Sequence, residues 1–414
     1  MPVAMPYQLA GAEFLAARTA ALLADEPGLG KSAQAIIAAD TAGAGRVLVI
    51  CPASVVENWR REIEMWSLGL FDFEVLSFDR AGQATAGFDT LIIDEAHYVK
   101  TPTAKRTQTL YGPKWDRVGG LAEQAQRVYL LSGTPMPNNP SELWTHLRAL
   151  HANAILAKGG KPRTFAQFVG KFCHTRDNGF GMQIVGGKNH DQLRAALDGF
   201  MLRRTKAEVM SEMPALRYAE LAVPGRIDPK ALGDEAVIVR KALEEHGVDG
   251  LKMVAGHVTT LRRLTGAAKV AGVAAWVRDW LANGGGKIVL FAQHRDVLDG
   301  LQAELKPAYA VARVDGSTTD RQRQVDEFQR GDARVFLGQL QAAGTGITLT
   351  AASDLVFVES SWVPAENEQA AQRIHRIGQD QACLVRFATL AGSIDEAVQR
   401  AIARKMNDIV RVIG

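Results

Sequence analysis

The chain has 414 residues, of which 47% are hydrophobic and 22% are charged, as is typical of a globular protein with about two or three domains. It has neither a run of about 18 apolar residues nor a basic flank before an apolar core at its start, so we expect a cytoplasmic protein with no membrane role. The net charge is only +3, but residues 101–207 carry 16 Lys/Arg against 6 Asp/Glu, a basic block that suits either a phosphate-rich partner or a solvated face.

Short apolar segments rich in Val, Ile and Leu alternate with helical stretches along much of the chain. In the first half these segments are TAALLAD, RVLVICP, TLIIDEAH and RVYLLSGTP, and in the second half KIVLFAQ, RVFLGQL, LVFVES and LVRFATL. Continuous apolar strands between helices indicate parallel sheets that are covered on both faces. The sequence therefore predicts an α/β protein with two parallel-sheet domains.

The strand pattern weakens between residues 147 and 286, where a polar, Gly-rich patch is followed by ALRYAELAVPGRIDPKALGDEAVIVRKALEEH, which we predict to be helical. We predict a first, ATP-binding domain over 1–205 with a basic insertion at about 147–200, a helical connector over 206–285 and a second domain over 286–414. The segment SIDEAVQRAIARKMNDIVRVI predicts a capped amphipathic helix that packs back onto a domain.

The segment ADEPGLGKS, residues 24–32, follows the first apolar strand and precedes a helical stretch. A phosphate-binding loop requires this context, although Asp25 stands where the common pattern has glycine. Gly28 and Gly30 would let backbone N–H groups approach the phosphates of ATP, and Lys31 would reach the β- and γ-phosphates. Ser32 would bind Mg²⁺. The alternative is a chance Gly-rich turn.

The motif IIDEAH ends another apolar strand. We predict that Asp94 holds the Mg²⁺ shell and that Glu95 polarises the water that attacks ATP. A helix-capping pair is the alternative for two adjacent acids at a strand end. The turn SGTP follows the strand VYLL, and we predict that His97, Ser132 and Thr134 sense the metal site and relay its state.

Six segments of the first half together resemble the first motor domain of superfamily 2 helicases, within the Swi/Snf class of ATP-dependent DNA translocases. They are Tyr7-Gln8, DEPGLGKS, VICPASVVENWRREI, DEAHYVK, LSGTPMPN and LRRTK. The second half is similar to the same class through VDGSTTDRQRQVDEFQ, QAAGTGITLTAASDLVFVESSW and EQAAQRIHRIGQ. Within the class, QAAGTGIT, residues 359–362 and LRRLTGAAKV resemble the fork-remodelling, annealing-helicase branch. The resemblance implies two tandem RecA-like domains with helical insertions between them.

The resemblance also implies nucleotide contacts. In the family, the residues matching Gln369, Arg373 and Arg376 face the ATP held by the other domain, where guanidinium groups neutralise charge on the transferring phosphoryl group. A merely basic helix is the alternative. A glutamine amide both donates and accepts, which suits Gln8 to an adenine edge. The remaining implied ATP contacts are Asp25, Glu26, Leu29, Gly344 and Gly346.

Motors of this class grip the sugar-phosphate backbone of DNA, so their contacts carry little sequence information. The residues predicted to contact DNA are Ser54, Lys100, Thr101, Arg203, Arg204 and Lys206 in the first domain and His294, Arg295, Ser317 and Thr318 in the second. Solvated loop residues are the alternative at each of these positions.

The resemblance implies an ATP hydrolase that uses ATP and Mg²⁺ to track along double-stranded or forked DNA and to remodel or reanneal it. Two alternatives stay open: an ATP-gated DNA clamp that does not move, and the motor subunit of a restriction-type complex. We expect a monomer that binds DNA, and we also consider a replication or recombination protein as a partner.

Overall fold

The structure of the chain, a computed structural model, describes residues 3–43, 45–69, 71–177, 182–209, 214–227, 234–235, 237–242, 245, 254–343, 347–361, 364–390, 393 and 395. The chain folds into two compact units, Met1–Ser211 and Glu212–Gly414. In the described part of the chain, no helix combines the length and the apolar character that crossing a bilayer requires.

A six-stranded parallel sheet forms the centre of the first unit. Its strands are β1 (Ala20–Leu23), β2 (Arg46–Cys51), β3 (Asp72–Ser77), β4 (Thr90–Asp94), β5 (Arg127–Leu131) and β8 (Met201–Leu202). They lie in the order β3-β2-β4-β5-β1-β8, and each neighbouring pair is parallel. Consecutive residues of a strand point to opposite faces, yet Ile92 and Ile93 are both fully buried. Both faces of the sheet are therefore covered.

Helices cover this sheet. They are α1 (Pro6–Ala16), α2 (Lys31–Thr41), α3 (Val56–Trp66), α4 (Lys105–Tyr111), α5 (Leu121–Gln124), α6 (Trp144–Leu150), α7 (Phe165–Phe172), α8 (His190–Leu197) and α9 (Lys206–Val209). One core joins Leu15 of α1, Ile36 of α2 and Trp59 of α3 to Ile92 and Tyr129 of the sheet. This packing fixes the ends of β1, β4 and β5 relative to one another.

The predicted basic insertion carries a small antiparallel hairpin of β6 (Cys173–Asp177) and β7 (Met182–Gly187). The preceding helix α7 begins at a capping box, in which Thr164 and Gln167 satisfy each other's backbone N–H groups. Phe168 and Phe172 of α7 are buried. The insertion is therefore anchored by its own apolar side chains.

The second unit repeats the parallel-sheet design. Its strands are β9 (Leu216–Ala222), β10 (Lys287–Ala292), β11 (Val311–Val314), β12 (Val335–Gln339), β13 (Ala352–Phe357) and β14 (Cys383–Thr389). Their order is β11-β12-β10-β13-β14-β9, and each neighbouring pair is again parallel. Val289 and Phe291 of β10 belong to one core, whereas Ile288 and Leu290 belong to another. The two faces of β10 thus bury two separate layers.

Five described helices accompany this second sheet. They are α10 (Ala255–Ala282), α11 (Arg295–Leu305), α12 (Arg321–Arg330), α13 (Leu340–Ala343) and α14 (Pro364–Ala371). Val273 and Val277 of α10 pack in the same core as Leu298 and Leu301 of α11. The long helix α10, which lies in the predicted connector, therefore belongs to the second unit.

The prediction of an α/β fold with two tandem parallel-sheet domains is confirmed. The predicted helix over LRYAELA is wrong, because residues 216–222 form β9, which pairs with β14 along its whole length. The domain boundaries at 205 and 285 stay predictions. Most of the predicted terminal helix and the two glycines Gly344 and Gly346 lie outside the described residues.

Candidate active site

The predicted nucleotide residues of the first unit converge at one edge of its sheet. Because β1, β4 and β5 are parallel neighbours, the segments that follow them meet at the carboxyl edge of the sheet. These segments are the phosphate loop of residues 24–30, the Asp94-Glu95 pair and the turn that begins at Ser132. The structure therefore brings together residues that are up to 108 positions apart in the chain (132 − 24 = 108).

The phosphate loop has the backbone that its glycines permit. Gly28 has φ 92° and Gly30 has φ 68°, left-handed values that other residues adopt at a cost. Lys31 is the first residue of α2, and its Nζ donates to the carbonyl oxygens of Asp25 at 2.6 Å and Glu26 at 3.3 Å. Its ammonium group is thus held at the helix N-terminus, where backbone N–H groups favour anions.

Lys31 is electrostatically linked to the acidic pair. The pKa of Lys31 is lowered because the side chain is buried, and the charges of Glu95, Asp25 and Asp94 offset only part of this effect. A phosphate group bound at the loop would add a further negative charge beside the ammonium. The site therefore suits an anionic ligand next to this lysine.

Asp94 is held in place by two hydrogen bonds. Its Oδ2 accepts from the indole N–H of Trp59 at 2.8 Å, and its Oδ1 accepts from the backbone N–H of Glu95 at 2.9 Å. Burial, followed by the charge of Glu95, raises the pKa of Asp94, and Lys31 opposes this rise. Ionising Asp94 is therefore less favourable than ionising an ordinary aspartate, and a further positive charge nearby would favour it.

The residues present fit Mg²⁺. Burial, and after it the charge of Glu95, raises the pKa of Asp94, and a hard divalent cation with oxygen ligands would offset both effects. The carboxylate of Asp94 and the hydroxyl of Ser32 are ligands of the type that Mg²⁺ prefers. The metal roles of these two residues stay predictions.

Glu95 and the residues predicted for coupling form one network. Glu95 has a left-handed backbone with φ 49°, which places it at a sharp turn directly after β4. The His97 Nδ1 lies 3.3 Å from Glu95 Oε2 and 3.2 Å from the hydroxyl oxygen of Ser132. That hydroxyl also accepts from the backbone N–H of Thr134 at 3.3 Å. A polar path therefore runs from Glu95 to the turn after β5.

That turn touches the phosphate loop directly. A Cβ atom at Gly133 would lie 2.6 Å from Cγ of Pro27 and 3.3 Å from Nζ of Lys31. Only a glycine leaves room for this approach without displacing the loop.

The side chains of Gln8 and Asp25 form hydrogen bonds with other residues of the first unit. The Gln8 side chain is buried and accepts from the backbone N–H of Met5 at 2.9 Å. Asp25 is fully buried, and its carboxylate accepts hydrogen bonds from Arg204 and Gln34. Leu29 of the loop is buried as well. Their roles as ATP contacts stay predictions.

Several predicted DNA contacts of the first unit also have partners within it. Arg203 Nη1 donates to the carbonyl oxygens of Ala24 at 3.0 Å and Gly133 at 3.2 Å. Lys100 Nζ pairs with Glu142 at 2.7 Å. The backbone N–H of Lys206 donates to Glu26 Oε2 at 2.6 Å. Ser54 lies in a short 3-10 helix that begins two residues after β2, and Thr101 follows the short 3-10 helix after β4.

The predicted DNA contacts of the second unit gather at the carboxyl edge of its sheet. Arg295 Nη2 donates to the hydroxyl of Ser317 at 3.1 Å, and the hydroxyl of Thr318 accepts from the backbone N–H of Asp315 at 2.9 Å. His294 Nδ1 lies 2.7 Å from Oε1 of Glu359. Arg295, Ser317 and Thr318 line a polar cleft of about 510 Å³. The structure thus brings three of the four predicted residues to one cleft, and the DNA role of all four stays a prediction.

The predicted arginine pair shares an acceptor. Arg373 Nη1 and Arg376 Nη1 both donate to the carbonyl oxygen of Ile347 at 3.4 Å, and Arg376 also donates to the hydroxyl of Thr348 at 3.0 Å. Gln369 lies on α14, just before these arginines. Their catalytic roles stay predictions.

Three supporting residues were not predicted from the sequence. Trp59 is buried in the core of the first unit, and its hydrogen bond to Asp94 was not predicted. A buried indole N–H needs a hydrogen-bond acceptor, and this requirement could have indicated from the sequence that Trp59 donates to a nearby polar group. Gln34 lies one helical turn after Lys31, where side chains lean back over the first turn. Glu359, which contacts His294, has no comparable feature in its local sequence that would have indicated this contact.

Two family descriptions match the chain. The SNF2-related domain matches residues 7–84 and 71–223, and the helicase conserved C-terminal domain matches residues 272–378. Together they include the whole first sheet, every strand of the second sheet except β14, and every described nucleotide residue discussed above.

Curated relatives match along nearly the whole chain. It is 30% identical to the SWI/SNF-related matrix-associated actin-dependent regulator of chromatin subfamily A-like protein 1 of Xenopus tropicalis, over 99% of this chain and 44% of that protein. It is 28% identical to the DNA annealing helicase and endonuclease ZRANB3 of Mus musculus, over 97% of this chain and 40% of that protein. The chain thus spans less than half the length of these relatives.

Among solved structures, the Sulfolobus solfataricus SWI2/SNF2 ATPase core in complex with dsDNA matches with a TM-score of 0.43 and 20% identity, over 100% of this chain and 94% of that chain. The matches to families and curated relatives confirm the resemblance to the Swi/Snf class and its annealing-helicase branch.

Proposed function

We propose, since this chain belongs to the SNF2-related family, that it hydrolyses ATP in response to DNA and uses the energy to move along double-stranded or forked DNA. The observation that carries the proposal is the meeting of Lys31, Asp94 and Glu95 at the carboxyl edge of one parallel sheet. The family membership supports the coarser statement that the chain is an ATP-dependent DNA-remodelling motor domain.

The residues of this edge supply the parts that phosphoryl transfer to water needs. Lys31 would bind the β- and γ-phosphates from the N-terminus of α2, and the loop N–H groups would orient them. Mg²⁺, when bound through Ser32 and Asp94, would neutralise charge on the phosphate oxygens. Glu95 would take a proton from the water that attacks the γ-phosphorus as the bond to the β-phosphate oxygen breaks.

The geometry of Glu95 supports its role as the base. Its left-handed backbone places Glu95 at a sharp turn directly after β4, and His97 Nδ1 lies 3.3 Å from one of its carboxylate oxygens. Through His97 and Ser132, a change at Glu95 would reach the turn after β5. We propose that this path carries the state of the nucleotide to other parts of the motor.

Binding to duplex DNA through the backbone is the second part of the proposal. It is supported by the basic block of residues 101–207 and by the polar cleft that Arg295 and Ser317 line in the second unit. Contacts of this kind weaken as the salt concentration rises, because binding releases counterions. We further propose that reannealing of forks is among its activities, which the annealing-helicase name of one relative supports.

Displacement of a third strand tests movement separately from hydrolysis. A motor that tracks along a duplex should remove a triplex-forming strand in the presence of ATP, whereas Glu95→Gln should leave it in place. DNA-stimulated hydrolysis without displacement would favour the clamp. Displacement that requires an added nuclease partner would favour the restriction-type complex.

A further inference from the structure

The last segment of the first unit runs directly beside the phosphate loop. The backbone N–H groups of Leu22, Ala24 and Glu26 donate to the carbonyl oxygens of Phe200 at 2.8 Å, Leu202 at 2.7 Å and Arg204 at 2.9 Å. This hydrogen-bond ladder begins at the pairing of β1 with β8 and continues past both strands. Residues 200–204 thus act as an edge strand that reaches into the start of the loop.

Arg204 and Asp25 form a buried ion pair at the end of this ladder. Arg204 Nε donates to Asp25 Oδ1 at 3.0 Å, and Arg204 Nη2 donates to Asp25 Oδ2 at 2.5 Å. The carboxylate is fully buried and the arginine side chain is 15% exposed. A bidentate contact of this kind fixes both the position and the orientation of the two side chains. Removing either partner would leave an uncompensated buried charge.

The same guanidinium group ties the loop to two helices. Arg204 Nη1 donates to the carbonyl oxygen of Tyr7 on α1 at 2.6 Å, and Nη2 donates to Oε1 of Gln34 on α2 at 2.8 Å. Gln34 Nε2 in turn donates to Asp25 Oδ2 and to the carbonyl oxygen of Leu29, each at 3.1 Å. The Arg204 clamp, meaning Asp25, Gln34 and Arg204, therefore holds both ends of the phosphate loop.

We propose that the Arg204 clamp positions the phosphate loop for nucleotide binding, and that Arg204 serves this role rather than contact with DNA. All three nitrogens of its guanidinium group donate to acceptors within the first unit. Asp25 then occupies the usual glycine position because its carboxylate is the partner of Arg204. The inference deepens the proposed function, on which it rests, by assigning three positioning residues, Asp25, Gln34 and Arg204, to the same ATP site.

A glycine beside the clamp offers a mild way to disturb it. A Cβ atom at Gly11 of α1 would lie 1.8 Å from Oε1 of Gln34 and 2.6 Å from Nη2 of Arg204. Alanine is favoured over glycine within a helix, so Gly11→Ala should disturb the clamp without weakening α1 itself. Gly170→Ala on α7 is a matched control, because its added Cβ would have no neighbour within 4 Å.

The experiment measures binding of a fluorescent ATP analogue, N-methylanthraniloyl-ATP with Mg²⁺, and of duplex DNA without nucleotide. We expect Gly11→Ala and Arg204→Gln each to weaken nucleotide binding about tenfold, since small displacements of a binding group are costly. Their DNA affinity and that of Gly170→Ala should equal the wild-type value. The double variant should bind nucleotide no more weakly than Arg204→Gln, because both changes act on one clamp.

The outcomes separate this inference from the proposed function. A wild-type protein that binds no nucleotide would overturn both. Wild-type binding with equal nucleotide affinity in Gly11→Ala would overturn the clamp and leave the proposed function intact. If Arg204→Gln weakens DNA binding and leaves nucleotide binding unchanged, the clamp role is wrong and Arg204 contacts DNA.

Discussion

Two adjacent carboxylates at the end of β4 repel each other when both are ionised. The charge of Glu95 is the second contributor, after burial, to the raised pKa of Asp94. A carboxyl group with a raised pKa in the folded state binds its proton more tightly there than in the unfolded chain, so folding loses stability as the pH rises through that pKa. Ionising both members of the acidic pair therefore costs stability in the folded protein, and the charge of Lys31 offsets part of that cost.

Glu95→Gln should remove this repulsion together with the proposed catalytic base. We expect a higher melting temperature at about pH 8, an increase that fades as the pH falls and Asp94 becomes protonated. We also expect ATP hydrolysis to fall by about 10²–10⁴-fold while ATP still binds. Thermal melts between about pH 5 and about pH 8 and a hydrolysis assay check both parts.

Glu64→Gln is the control for this change, because Glu64 is an exposed residue of α3. It should alter neither the melting temperature nor hydrolysis. A Glu95→Gln variant that hydrolyses ATP normally would show that another group activates the water.

Trp59→Phe tests how Trp59 supports Asp94, the predicted metal ligand. Phenylalanine keeps most of the buried ring but removes the N–H that bonds to Asp94 at 2.8 Å. Since partners of metal ligands commonly contribute 10–100-fold in metal affinity, we expect the Mg²⁺ concentration for half-maximal analogue binding to rise about tenfold. Trp66→Phe changes a ring packed against the same core and should leave the Mg²⁺ requirement unaltered. If the two variants require the same Mg²⁺ concentration, Trp59 contributes only packing and its hydrogen bond to Asp94 does not support metal binding.

At the scale of elements, the site depends on how closely the turn after β5 approaches the loop after β1. Gly133→Ala would place a Cβ atom 2.6 Å from Cγ of Pro27, so the loop has to shift. We expect kcat/KM for ATP to fall about tenfold or more with the fold retained. Gly82→Ala, whose Cβ would have no neighbour within 4 Å, should be neutral. An active Gly133→Ala variant would mean that the loop tolerates displacement.

Elements with strong local patterns were predicted correctly, and elements set by distant pairing were not. The strands β2, β4, β10 and β12 are fully or almost fully buried. Their sequences are therefore continuous apolar runs, which predict buried parallel strands. In contrast, β9 is mostly exposed and was predicted as helix. An edge strand of this kind is specified by its partner β14, which lies more than 160 residues later (383 − 222 = 161).

The same limit applies to the site across the whole first unit. The loop, the acidic pair and the SGTP turn were found because each has a local pattern after a strand. The Asp25–Arg204 pair joins residues 179 positions apart, and nothing local to either residue indicates the other. Trp59 and Gln34 lie near motifs that were recognised, but their contacts depend on the packing of α3 and α2 against the sheet.

The motor proposed for the whole chain requires that DNA stimulate its ATP hydrolysis. The measurement is the hydrolysis rate of the purified protein without DNA and with single-stranded, duplex or forked DNA, with Glu95→Gln as the blank. We predict strong stimulation by duplex or forked DNA. Stimulation by single strands alone would contradict duplex tracking, and no stimulation by any DNA would contradict the account as a whole.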